Sequence, residues 1–324
     1  MDPKSIWHDP EEIGRPRGDQ TVADAQPHSP DEGEHALRHL TLRDGTVMSY
    51  RDIGRGPVLL LVHGWAASSA FFDTVAQALA TEYRVLVPDL RGHGATPAGS
   101  APTTISDLAD DLNQLLTREE LTRTVVLGWS MGATVLWSMI QRHGHDRLAG
   151  MVIEDMSPRI LNDDCWALGM SSGMDAKASK RATDAMRANW PAYAAAFAPR
   201  MFARDRAARE PQIVADALNL LRARDADAMA DLWSSMAQQD LRAELPGMAI
   251  PALIAFGERS DAYGPETSRY LVETLPAATA HGFAHSGHAP HLEQPEEFVD
   301  VVRNFARQAL ALATSNETSE GSIS

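Results

Sequence analysis

Apolar positions along the chain switch repeatedly between a strand-like and a helix-like period. Val58–His63 is a continuous apolar run, the mark of a strand buried on both faces of a parallel sheet. Arg84–Pro88, Thr124–Trp129, Gly150–Glu154 and Ala252–Phe256 read as further strands. Between and after them, Phe72–Ala80, Ile105–Leu116, Met131–Arg142, Pro265–Leu275 and Pro295–Leu312 read as helices. The i, i+3, i+4 spacing is plainest in Ile105–Leu116, with Thr103 or Thr104 placed to cap it. His39–Leu42 and Val47–Asp52, split by Asp44–Gly45, predict a hairpin. The alternation predicts an α/β fold, a doubly wound, mostly parallel sheet with helices on both faces.

Residues 156–244 break this rhythm. The stretch is rich in Ala, Met and Arg, has helical periods around Ala182–Trp190 and Ile213–Leu221, and carries no strand signal. It is expected to form a helical cap inserted in a core made of 35–155 and 245–313. Its bulky residues, among them Trp166, Trp190, Tyr193, Phe197, Met201, Phe202, Trp233 and Met236, are expected mostly to pack, with a few facing the sheet and lining a pocket. Residues 1–34 have no sustained period and read as a disordered or loosely docked extension, with Ile6 and Trp7 as its only anchors. Residues 314–324 read as a flexible tail.

Composition narrows the function. With 324 residues and 44% hydrophobic, the chain can bury a large core. A formal charge of −15 and the lack of a basic stripe argue against nucleic acid as a partner. No apolar run is long enough for a membrane span and no signal pattern opens the chain, so a cytoplasmic location is expected, with no membrane partner. The single Cys165 excludes an internal disulfide or a cysteine-based metal site, and its acidic neighbours disfavour a thiolate. Neither a cofactor nor a metal is expected; oligomeric state is open.

The chemistry gathers at Gly128–Trp129–Ser130–Met131–Gly132, where an apolar strand runs straight into a helix. A serine hydroxyl needs presentation and a base to become a nucleophile, and a sharp strand–turn–helix connection presents it. Together with Leu61–Val62–His63–Gly64–Trp65, Pro88–Asp89–Leu90–Arg91–Gly92–His93–Gly94 and Ser286–Gly287–His288–Ala289–Pro290–His291–Leu292–Glu293, this elbow resembles the α/β-hydrolase superfamily. The resemblance covers roughly Thr41 to Leu312 and points to its serine esterase and cofactor-free haloperoxidase-like branch.

The resemblance implies the roles. Ser130 is the nucleophile and His288, in the loop before the last helix, is the base chosen from the chain's 12 histidines. The backbone N–H groups of Trp65 and Met131 form the oxyanion hole, and the Trp65 indole forms part of the pocket wall. The acid is either Asp155, at the end of the sixth strand, or Asp261, in the loop after the seventh, where Ser260 takes the family's usual slot; Asp155 is favoured. His291 is expected to hydrogen-bond the loop backbone, His63 and His93 to make local hydrogen bonds. A metal site of His285, His288 and His291 lacks a fourth ligand nearby. Because an elbow aspartate would signal dehalogenase or epoxide-hydrolase chemistry, Ser130 points instead to an acyl-serine. The function expected is a serine hydrolase cleaving small, fairly apolar carboxylic esters or lactones. The alternatives are a haloperoxidase or perhydrolase-like enzyme, carbon–carbon bond hydrolysis, and a triad-bearing small-molecule receptor.

Overall fold

The computed structural model describes residues 35–99 and 102–320. The expected N-terminal extension, with Ile6 and Trp7, lies outside the described residues. Strands β1 (His35–Thr41), β2 (Val47–Ile53), β3 (Val58–Val62), β4 (Arg84–Pro88), β5 (Thr124–Trp129), β6 (Leu148–Glu154), β7 (Ala252–Gly257) and β8 (Ala278–Phe283) form one 8-stranded sheet. Its order is β1-β2-β4-β3-β5-β6-β7-β8; β2 is antiparallel to both β1 and β4, and β3 to β8 run parallel. The apolar runs explain the centre: every residue of β5 and β6 is buried.

Topology places the site. The chain leaves β3 for β4 on one side and returns to β5 on the other. The loops after β3 and β5 therefore diverge at the strands' C-terminal ends and open a crevice there. Helices α1 (Asp73–Leu79) and α11 (Pro295–Glu320) pack together on one face, and α2 (Ile105–Arg118) with α3 (Met131–His143) on the other. Between β6 and β7 come α4 (Ala176–Ala188), α5 (Trp190–Phe197), α6 (Arg204–Arg209), α7 (Pro211–Arg222) and α8 (Ala226–Ala237), the inserted helical cap. Helices α9 (Pro265–Thr274) and α10 (Pro290–Glu293) complete the chain order.

The cap is tied to the core by hydrogen bonds across its underside. Trp65 Nε1 donates to Met229 O at 3.0 Å, Arg224 Nε to Ala66 O at 3.0 Å, and Ile105 N to Ser235 Oγ at 2.9 Å. Arg91, in the loop after β4, makes a bidentate pair with the buried Asp111 of α2, both bonds 2.9 Å, and so fixes that loop to the helix layer.

Two elements differ from the sequence reading. Strand β8 carries no apolar run, because it lies at the sheet edge with residues such as Thr279 and Ala280 exposed. Helix α11 runs on to Glu320, well past Leu312, so the expected flexible tail is helical through Glu320. Neither Gly nor Pro interrupts it before Gly321, and Thr314 and Ser315 hydroxyls donate back to Leu310 O and Ala311 O.

At the start of α2, Thr104 Oγ1 accepts from Asp107 N at 3.2 Å and the Asp107 carboxylate accepts from Thr104 N at 2.9 Å. Replacing this capping box by Thr104→Ala is expected to cost about 1 kcal/mol. Thermal melting should then drop by roughly 2–4 °C, and an unchanged melting temperature would show the cap to be idle.

Candidate active site

The elbow between β5 and α3 forces Ser130 into φ 53°, ψ −120°, a strained conformation for a side-chain-bearing residue. Its glycines are required by contact. A Cβ on Gly132 would lie 2.2 Å from Val62 O, and one on Gly128 2.5 Å from Ala133 N. The turn is pinned from beneath, where Ser130 N donates to Glu154 O at 2.9 Å.

Ser130 Oγ lies 2.9 Å from His288 Nε2, and His288 Nδ1 lies 2.6 Å from Asp155 Oδ2. Asp155 follows β6 directly, with φ 46° and its N–H on Ala255 O at 2.9 Å, so the end of the strand turns its carboxylate toward the His288 loop. With Nδ1–H donated to Asp155, Nε2 is left to accept from the Ser130 hydroxyl. The structure brings Ser130, His288 and Asp155 together and leaves Asp261 apart, where its carboxylate meets Arg204 Nε at 2.5 Å. Ser260, which occupies the slot after β7, donates its hydroxyl to Asp155 Oδ2 at 2.6 Å. Burial, reinforced by Asp155, pushes the nearby Tyr263 phenol far up, so it stays protonated.

The remaining histidines divide cleanly. His63 Nε2 accepts from Leu90 N at 3.0 Å while its Nδ1 donates to Gly64 O at 2.8 Å; His93 Nε2 accepts from Ala66 N at 3.1 Å while its Nδ1 donates to Arg91 O at 3.0 Å. Both bonds per ring require neutral imidazoles, and burial pushes His63 down to about 3 and His93 well below its ordinary range. These rings stitch together the loops after β3 and β4. His291 departs from expectation: its Nδ1 and its backbone N–H both reach Glu154 Oε1, at 2.8 and 3.0 Å, because a buried carboxylate needs stronger partners than loop carbonyls. His285 instead meets Arg259. Among the described residues no group of three metal-ligating side chains comes together.

Trp65 lines the crevice beside Ser130 and Met131 opens α3 directly after it, and among the described residues neither backbone N–H donates a hydrogen bond. Above them a pocket encloses roughly 870 Å³ of space free of protein atoms, its open mouth included. Ser130 and His288 form its floor, and Trp65, Tyr193, Phe197 and Trp233 much of its wall. Trp190, Met201 and Phe202 pack beneath the cap instead, with Trp190 Nε1 on Leu221 O at 3.1 Å.

Sequence reasoning gave no role to Glu154, Ser260 or Glu293. Glu154 had a signal, a carboxylate ending an otherwise apolar strand; Glu293 had none. Glu293 Oε1 accepts from Gly287 N at 2.6 Å and Oε2 from Ala203 N at 2.8 Å, joining the His288 loop to the cap. Burial pushes the Glu293 carboxyl up to about 7, although both N–H groups favour its charge.

This shift gives a signed expectation. Unfolded, Glu293 loses its proton near 4.5, whereas the folded chain keeps it up to about 7. The stability it contributes is therefore full below pH 4.5 and is lost as pH rises through 7, an effect of about 3 kcal/mol. Glu293→Gln should melt lower at pH 5, with a shallower fall between pH 5 and 8 than the unsubstituted chain. Parallel melting profiles would refute the assignment.

Comparison with known proteins agrees with this architecture. Residues 59–301 match the sequence profile of the alpha/beta hydrolase family. The pimeloyl-[acyl-carrier protein] methyl ester esterase of Chromobacterium violaceum is 29% identical over 265 residues, 77% of this chain and 94% of the relative. An esterase from Exiguobacterium antarcticum superposes with a TM-score of 0.78 at 22% identity, covering 84% of this chain and 100% of that one. The enol-lactonase from Burkholderia xenovorans superposes with a TM-score of 0.73 at 26% identity, covering 83% of this chain and 99% of that one. Since that family match spans most of the chain, from residue 59 to residue 301, the chain belongs to the alpha/beta hydrolase family.

Proposed function

We propose that the chain is a carboxylic-ester hydrolase that works through an acyl-serine intermediate on small, fairly apolar esters or lactones. The observation that carries this reading is the unbroken relay from Ser130 Oγ through His288 to Asp155 at the floor of an aromatic pocket. Relatives named for ester and enol-lactone hydrolysis support the same reaction class.

In this reading His288 Nε2 takes the Ser130 proton as Oγ attacks the ester carbonyl. Asp155 holds the Nδ1–H tautomer and stabilises the imidazolium that forms, and the Ser260 hydroxyl steadies the carboxylate. The oxyanion is met by the N–H groups of Trp65 and Met131. Collapse releases the alcohol, which takes the proton from His288. Water then attacks the acyl-serine by the same route and frees the acid.

A panel of p-nitrophenyl esters of increasing acyl length tests the proposal. Ser130→Ala should lower kcat roughly a millionfold while the fold persists; near-normal turnover in that variant would refute it. Asp155→Asn should lower kcat on the order of 10³–10⁴-fold, whereas Asp261→Asn, which breaks only a half-exposed ion pair, should change it by no more than about threefold. The reverse ranking would give the acid's role to Asp261. Trp233→Ala, which enlarges the pocket, should lengthen the preferred acyl chain, and Trp190→Ala, which lies outside its wall, should not.

A further inference from the structure

The pocket wall is mostly aromatic and aliphatic, with Ser172 and two charged side chains of opposite sign, Asp261 and Arg200. Asp261 is already matched by Arg204, with Asp261 Oδ2 at 2.5 Å from Arg204 Nε. Arg200 has no such partner: among the described residues no carboxylate forms an ion pair with it, and its charge is felt by the phenol of Tyr193 on the same wall. A guanidinium on the wall of this pocket with no carboxylate on it is free to meet an anion that enters.

Its backbone is not free to wander. Arg200 sits in a short helical turn, Ala198–Met201, followed by Phe202 and Ala203, and Met201, Phe202 and Ala203 are all buried. That segment presses on the loop that carries His288 so closely that a Cβ on Gly287 would lie 2.4 Å from Ala203 N. Glu293 clamps the same contact. The backbone beside Arg200 is thus held against the His288 loop, and the exposed Arg200 side chain lines the pocket above Ser130 and His288. A guanidinium beside apolar surface favours a planar, bidentate anion, above all a carboxylate.

We infer that Arg200 is a specificity-determining residue that receives the free carboxylate of a half-ester of a dicarboxylic acid while the ester carbonyl lies at Ser130. This deepens the hydrolase reading and rests on it. The reaction balances as half-ester monoanion plus water giving the dicarboxylate dianion, an alcohol and one proton. The methylene chain between the two ends lies along Phe197, Tyr193 and Trp233.

The test compares matched substrates that differ only at the far end of the acyl chain, p-nitrophenyl hexanoate and the mono-p-nitrophenyl ester of adipic acid. The readout is the ratio of kcat/KM for the charged ester to that for the neutral one. Arg200→Gln should lower this ratio about fivefold to tenfold, Arg200→Lys less, and Arg200→Glu more, as expected for a partly exposed charge pair. Added salt should shrink the ratio in the unsubstituted chain and leave it flat in Arg200→Gln. An equal ratio in the unsubstituted chain and Arg200→Gln, across acids of four to eight carbons, would overturn the inference while leaving ester hydrolysis standing. If neither ester is hydrolysed, the hydrolase reading has failed. Tryptophan-fluorescence titration of Ser130→Ala then decides Arg200 separately, with methyl hydrogen adipate against methyl hexanoate. A preference for the anion that Arg200→Gln abolishes supports the inference, and no preference overturns it.

Discussion

The site depends on how one strand ends. At the last residue of β6 and the one after it stand two consecutive carboxylates, Glu154 and Asp155, both buried. Strand alternation sends their side chains apart, and each finds a histidine of the same loop: Glu154 takes His291, Asp155 takes His288. The backbone carbonyl of Glu154 also takes the N–H of Ser130. Serine, imidazole and carboxylate come from segments far apart in sequence, and this dipeptide sets the distances among them. Burying two carboxylates side by side is unfavourable unless each is hydrogen-bonded. The requirement for partners is what draws the His288 loop down onto the sheet.

Trp65 plays the matching role from above. Its ring meets Trp190, Tyr193, Phe197 and Trp233 edge-on, with centroids 5.2–6.2 Å apart. The residue whose N–H faces the reacting oxygen in the proposed mechanism is therefore also the keystone of the cap's aromatic layer. The cap's aromatic layer and the loop after β3 therefore meet at a single side chain.

Much of this was legible in the sequence, for reasons that can be named. The central strands announced themselves because burial on both faces leaves no room for polar residues, and the elbow did because Gly128 and Gly132 have no space for a Cβ. His288 followed from its place beside Gly287 before the last helix. Asp155 was only favoured over Asp261, since sequence order cannot tell which carboxylate lies beside the imidazole; in the fold Asp155 Oδ2 lies 2.6 Å from His288 Nδ1 while Asp261 meets Arg204. Strand β8 was missed because edge pairing asks for backbone hydrogen bonds and little apolar side chain. The helical run to Glu320 was missed because a polar composition was read as disorder, although no breaker stood in its way. His291 and Glu293 were opaque for a common reason: their partners lie across the fold, where local pattern carries no information.

The Glu293 bridge has a mechanical meaning. One carboxylate holds Gly287, the neighbour of the imidazole, and Ala203, a residue of the roof. Cap and His288 loop are thus joined through one side chain. A lid that hinged upward at Ala203 would drag the imidazole out of line with Ser130, and the site would be disarmed whenever it stood open at that end.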